Sequence, residues 1–149
     1  MDTFEISIKS DNDGFILLQC SLCGEFFKLL ASDLNDDSTL NIWCPYCGLN
    51  GKRYFTEEVL DIGLKMAQNE VNNIIYQTFK DFERETKNNK FISFKCAKKP
   101  QEEIITPIKS RIDNLEIIKY ECCKAKAKIR PVSIYTGSYC PLCGGAKFE

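Results

Sequence analysis

A chain of 149 residues is long enough for one ordinary domain or two very small ones, and its 44% hydrophobic content is too high for a disordered tail. It contains no histidine, which excludes Cys-His and Ser-His catalytic pairs and every histidine-bearing catalytic metal site. The net charge of −1 hides a split, because residues 1–86 carry 7 Lys/Arg against 15 Asp/Glu while residues 87–130 carry 12 against 5. Halves so different either do different jobs or complement one another, within a chain or across a dimer.

Residues 4–9 alternate apolar and polar, as a half-buried strand does. Asp11-Asn12-Asp13-Gly14 is a strong turn, and the apolar run at 15–19 then leads into Cys20-Ser21-Leu22-Cys23. A second strand is expected from Glu25 to Leu30. After a polar excursion at 32–39, a third at 40–43 enters Cys44-Pro45-Tyr46-Cys47-Gly48.

From Thr56 the texture changes. Thr56 suits an N-cap, and Glu57, Glu58 and Asp61 suit the positive end of a helix. Apolar or small residues recur in steps of three and four at Leu60, Leu64, Ala67, Val71, Ile74, Ile75, Phe79 and Phe82. The spacing predicts a helix of about 30 residues, roughly 45 Å long, with Gly63 as a mild weakness and residues 87–90 as its end. Its apolar stripe serves either as a spine within the chain or as a seam to a second copy. Beyond it, residues 91–94 read as a short strand near Cys96, residues 98–103 as a polar linker, and residues 115–120 as the strand into Cys122-Cys123. The chain closes on Tyr139-Cys140-Pro141-Leu142-Cys143-Gly144.

Eight of the nine cysteines thus fall into two paired sets: Cys20, Cys23, Cys44 and Cys47, and Cys122, Cys123, Cys140 and Cys143. Tetrahedral zinc needs four ligands, and each Cys-x-x-Cys turn delivers two from one knuckle. Knuckles about 15–20 residues apart are the sequence sign of such a site. The ends of the chain look like an internal repeat, with 20 residues between Cys23 and Cys44 and 16 between Cys123 and Cys140. The second set departs from the pattern. Adjacent residues on an extended strand point to opposite faces, so Cys122 and Cys123 reach one metal only if the backbone turns there, and Cys96 is the alternative fourth ligand. A thioredoxin-like redox role fits poorly, since it calls for one such motif at a helix start.

Over about 28 residues at the first set and 23 at the second, the chain resembles zinc-ribbon proteins, found in transcription, RNA and defence-associated systems. The resemblance identifies a type of site and implies two structural Zn2+ per chain. The expected fold is α+β: two small antiparallel zinc-ribbon-like β units joined by one long α-helix, with boundaries at 1–55, 56–90 and 91–149. Four-thiolate zinc is coordinatively closed and no phosphate-cradling glycine loop is present. No catalytic residue or small-molecule substrate is therefore expected, and the protein reads as a non-enzyme.

Lys124, Lys126, Lys128 and Arg130 would share one face of a strand and form a row suited to a phosphate backbone. Lys98, Lys99, Lys109, Arg111 and Lys119 would extend it, and Tyr135 and Tyr139 would offer stacking surfaces. The competing reading is a lysine-protected solvated strand. Nucleic acid or a nucleic-acid-processing complex is the leading partner. The alternative is a protein-interaction adaptor that dimerises or docks through helix 56–88 without nucleic-acid contact. The polar, acidic N-terminus is unlike a secretory leader, and no apolar run approaches the roughly 20 residues of a membrane span. The expected location is the cytoplasm, where cysteine clusters mean metal more often than disulfide.

Overall fold

The computed structural model describes residues 5–108 and 112–148. The chain divides into two compact units. One comprises Glu58–Pro107 with the described residues up to Ile6, and the other combines Ser7–Glu57 with Ile108–Glu149. The architecture is α+β, as the sequence implies: antiparallel strands and one long helix.

In the sheet unit, β1 (Phe15–Gln19) and β2 (Phe26–Leu30) form a hairpin, followed by one turn of helix, α1 (Ala31–Leu34). The second half repeats the plan with β3 (Glu116–Lys119), β4 (Lys126–Ile129) and α3 (Pro131–Thr136). The two hairpins do not form separate ribbons. They join through β2 and β4 into one four-stranded antiparallel sheet of order β1-β2-β4-β3. In that junction Lys28 stands opposite Lys128. These residues hold the same place in their respective hairpins, so an approximate two-fold axis passes between them.

Alternation along β2 and β4 sends Phe27, Leu29, Ala127 and Ile129 to one face, where all four are fully buried. Leu18, Ile118, Tyr54 and Tyr120 join them in a single core fed by both halves. At equivalent positions next to the axis the core holds one large and one small side chain, Phe27 and Ala127. The Phe27 ring meets Tyr46 and Tyr54 edge-on at centroid distances of 6.5 and 5.8 Å. The Tyr46 hydroxyl donates to the Phe26 carbonyl at 2.8 Å and accepts the Arg130 N–H at 3.1 Å, which ties the halves together.

On the opposite face, Lys28 and Lys128 both reach Asp11 Oδ2, at 3.2 and 2.8 Å, and Lys128 also reaches Asp13 at 2.6 Å. Asp11 belongs to the expected turn, where its Oδ1 accepts the N–H groups of Asp13 and Phe15 and Gly14 takes φ +84°. Burial opposes ionisation of Asp11. The ammonium groups of Lys128 and Lys28 and the two backbone donors nevertheless hold its carboxyl well below the usual carboxylate range.

The other unit is built on α2 (Glu57–Thr86), which matches the span read from its periodicity. Ile6 lies over Gly63, where an added Cβ would stand 3.3 Å from its Cδ1. The residues after α2 run back along the helix: Phe94 stacks near Phe79 and Phe82, and Asn69 exchanges two hydrogen bonds with the Glu103 backbone, at 2.8 and 2.9 Å. No described helix is long and apolar enough to cross a membrane.

Three expected strands do not form. Described residues 5–9, residues 40–42 and residues 91–94 pair with no neighbour, and near the second knuckle only an isolated bridge joins Trp43 to Asn50. Alternation alone does not make a strand where no partner edge lies alongside to take its backbone hydrogen bonds.

Candidate metal centres

Each half of the sheet unit contributes two knuckles. In the first half, the Cys20 N–H donates to the Glu25 carbonyl, and Gly24, at φ +76°, turns back to donate to the Cys20 carbonyl. In the second half Tyr120 N–H donates to the Ala125 carbonyl in the same way, and Lys124 takes the left-handed position at φ +57°. Residues 19–30 and 119–130 therefore occupy equivalent places. The later knuckles match likewise. Cys44 N–H donates to the Leu49 carbonyl and Cys140 N–H to that of Gly145, with Gly48 and Gly144 at φ +69° and +72°.

The equivalence explains the irregular spacing of the second set. The counterpart of Cys20 is Tyr120, buried with its hydroxyl bonded to Ser138 Oγ at 2.9 Å. The counterpart of Leu22 is Cys122. The missing thiol is thus restored two residues later, inside the turn rather than at its base, and the turn lets Cys122 and Cys123 face the same site.

Both expected sets converge. Within each, one sulfur per residue lies within 4.8 Å of all the others. Cys20 and Cys47 Sγ are 3.9 Å apart, Cys23 and Cys44 3.6 Å, and Cys122 and Cys143 3.5 Å. Four sulfurs about 2.3 Å from a tetrahedral metal would be separated by about 3.8 Å, so the donor geometry fits a metal ion. Cys96, the alternative ligand, is absent from both groups and lies in the helical unit. Backbone N–H groups of Leu22, Tyr46 and Gly145 point at the sulfurs of Cys20, Cys44 and Cys143, each at 3.4 Å. Such donors stabilise thiolate ligands and orient them.

The centres differ in exposure. In the first, Cys20 and Cys44 are buried, whereas in the second only Cys140 is. Burial pushes the Cys44 thiol well up and that of Cys140 up to about 12. The Gly145 N–H, the largest influence on Cys143, draws its thiol down.

The centres are also joined to each other. Trp43 N–H donates to the Pro141 carbonyl at 2.8 Å, and Tyr139 N–H donates to the Pro45 carbonyl at 2.9 Å. The Tyr139 ring closes over Gly48 and the Trp43 ring over Gly144, so near that an added Cβ would stand 2.9 and 2.8 Å away. Each Cys-Pro-x-Cys knuckle is therefore held by the residue that precedes the other.

The basic segment is dispersed. Only Lys126 and Lys128 lie on β4. Lys128 is engaged by Asp11 and Asp13, with its ammonium 4.8 Å from the Phe15 ring centroid. Arg130 pairs with Glu25 at 3.2 Å and lies 4.7 Å over the Tyr46 ring. Lys124 sits in the knuckle turn beside Glu121 at 3.0 Å. Tyr135 is exposed, but the Tyr139 ring is occupied by Gly48 and Phe148. Lys98 and Lys99 fall in the helical unit, and Lys109 and Arg111 lie outside the described residues. A different group gathers at the second centre. Lys119 and Lys126 are register partners, Lys147 Nζ reaches the Lys119 carbonyl at 3.1 Å, and Lys124 is close by in the turn. Lys147 lies on a short strand, Ala146–Lys147, opposite Ser138, a pairing that no local pattern in the sequence signals.

The fold and the cysteine geometry define an α+β protein with two ribbon-type four-cysteine centres, each able to hold a metal ion. No protein-family model, curated protein or solved structure matches the chain.

Proposed function

We propose that this is a non-enzymatic cytoplasmic protein with two structural zinc ions. It binds nucleic acid, alone or within a transcription or defence complex, through the end of the sheet that carries the second centre. Zinc suits two tetrahedral four-thiolate sites whose role is to hold a small sheet together. The observation that carries the nucleic-acid reading is a comparison between the two halves. The places held by Gln19, Gly24 and Phe26 in the first half are held by Lys119, Lys124 and Lys126 in the second. The shared fold does not require lysine there, because the first half forms without it.

Lys124 is the most telling. A non-glycine residue at positive φ costs roughly 1–2 kcal/mol, and the first half avoids that cost with Gly24. Strain of this kind persists where function retains the side chain. Lys124→Gly is expected to raise stability by about 1 kcal/mol, read in urea unfolding, since its exposed pair with Glu121 adds little. The same substitution should weaken nucleic-acid binding.

The direct test is fluorescence anisotropy of zinc-loaded protein with short single- and double-stranded DNA and RNA, at about 50 and 200 mM salt. Affinity should fall steeply between the two salts, because each lysine–phosphate contact releases counterions. Lys119→Glu with Lys126→Glu should abolish binding while two zinc ions remain. Binding unchanged in that variant, or absent from the parent at low salt, would overturn the reading. The alternative, an adaptor without nucleic-acid contact, has its own support in the exposed apolar stripe of α2.

A further inference from the structure

We infer that two copies of this chain associate in an antiparallel pair through the exposed apolar stripe of α2. This rests on the helical unit alone and is independent of the nucleic-acid reading. Leu64, Val71, Ile75 and Phe82 lie within about 20° of a common line along the helix at 3.6 residues per turn. They are 71%, 52%, 48% and 45% exposed, with Ile74 and Phe79 exposed on either flank. The stripe runs about 27 Å. No charged residue interrupts it, since the intervening positions facing the same way are Ala67, Gln68 and Thr78.

The chain's own returning segment does not account for this stripe. It is pinned at Asn69, which points away from the Leu64–Val71 line, and its Phe94 ring meets Phe79 and Phe82 at one end, while Leu64 and Val71 stay more than half exposed. Isolated exposed apolar residues are ordinary, but a continuous row of this length marks an interaction surface.

Charge selects the occupant and its direction. Residues 57–65 carry Glu57, Glu58 and Asp61 against Lys65, a balance of −2, whereas residues 80–90 carry Lys80, Arg84, Lys87 and Lys90 against Asp81, Glu83 and Glu85, a balance of +1. A two-fold axis crossing α2 near residue 73 sets Leu64 of one copy against Phe82 of the other and Val71 against Ile75. It brings the acidic start of each helix beside the lysines that follow the other, so the favourable contact occurs twice, as an isologous interface requires. A parallel pair would set the two net-negative starts against each other and the two net-positive ends against each other.

Sedimentation velocity of the full-length, zinc-loaded chain across about 1–100 μM is the first measurement, and a concentration-dependent dimer is expected. Val71→Glu with Ile75→Glu should leave a monomer that keeps two zinc ions per chain. Glu57→Lys with Asp61→Lys, and separately Lys87→Glu with Lys90→Glu, should each weaken dimerisation several-fold at low salt. Mixing those two proteins should restore it, because every end contact is then attractive. A monomer at all concentrations, or a dimer that survives Val71→Glu with Ile75→Glu, would overturn the proposal. A dimer lost on stripe substitution but indifferent to all four charge reversals would overturn its antiparallel direction.

Discussion

Replacing Cys140 with Ser is expected to disable both metal centres, not one. Loss of a buried thiolate should empty the second centre. Without metal the 140–144 knuckle loses its shape, and with it go the Pro141 carbonyl that accepts the Trp43 N–H and the backbone that orients the Tyr139 ring over Gly48. These groups surround the first centre as outer-shell supports, and losing such supports typically lowers metal affinity about 10–100-fold. The first centre should therefore bind zinc at least about tenfold more weakly, read by competition with a chromophoric chelator, with native mass spectrometry giving the stoichiometry. In the parent protein, stripping metal should unfold the sheet unit in one transition, because zinc contributes roughly 10–16 kcal/mol in comparable small sites and the halves share one core. Two separate transitions, or a first centre unaffected by Cys140→Ser, would mean two self-sufficient ribbons.

Asp11→Asn is expected to be an unusually damaging substitution for a residue outside the core and the metal centres. Its carboxylate serves Lys28 and Lys128 together, and these side chains are only 9% and 12% exposed. Removing one partner of a buried ion pair leaves an uncompensated charge, a loss of about 3–5 kcal/mol. Partial exposure of Asp11 and the remaining Lys128–Asp13 contact reduce this to about 2–3 kcal/mol, measured by urea unfolding of zinc-loaded protein at pH 7. The pH dependence has a definite sign. The folded-state pKa of Asp11 is depressed, so its contribution is fully present above the unfolded value near 4 and is lost as pH falls below it. The gap between parent and variant should thus be constant from pH 8 to about 5.5. A gap that changed within that range would assign the effect to another group.

The parts of this molecule that were legible in the sequence are those with short-range signatures. The 3.6-residue period announced α2 almost to the residue, and cysteine spacing announced both four-sulfur groups while leaving Cys96 open as an alternative to Cys122. What stayed hidden depends on partners far away in the chain. That β2 pairs with β4 is a fact about residues 100 positions apart, and no local period encodes it. The same distance concealed the engagement of Lys128 by Asp11 and made four cations look like an unpaired row. Described residues 5–9 and residues 91–94 form no strand, because a local pattern does not supply the hydrogen-bonding partner that a strand needs. Once Lys28 and Lys128 are seen to be equivalent, Tyr120 and Cys122 become readable as a ligand moved by two places.

The unequal residues beside the sheet's axis carry one more consequence. Phe27 and Ala127 occupy matching positions in neighbouring strands of one core, where the register sets the small Ala127 against Leu29. Were a first half to pair with another first half, a phenyl ring would stand against Leu29 in place of the Ala127 methyl group and overfill the core. Two second halves would leave a hole there. Overfilling and cavities each cost a few kcal/mol, so each half fits the other better than it fits a copy of itself. The core thereby discriminates between correct closure within a chain and strand exchange between like halves of different chains, a safeguard that matters most while the sheet is newly made and its edges are still open.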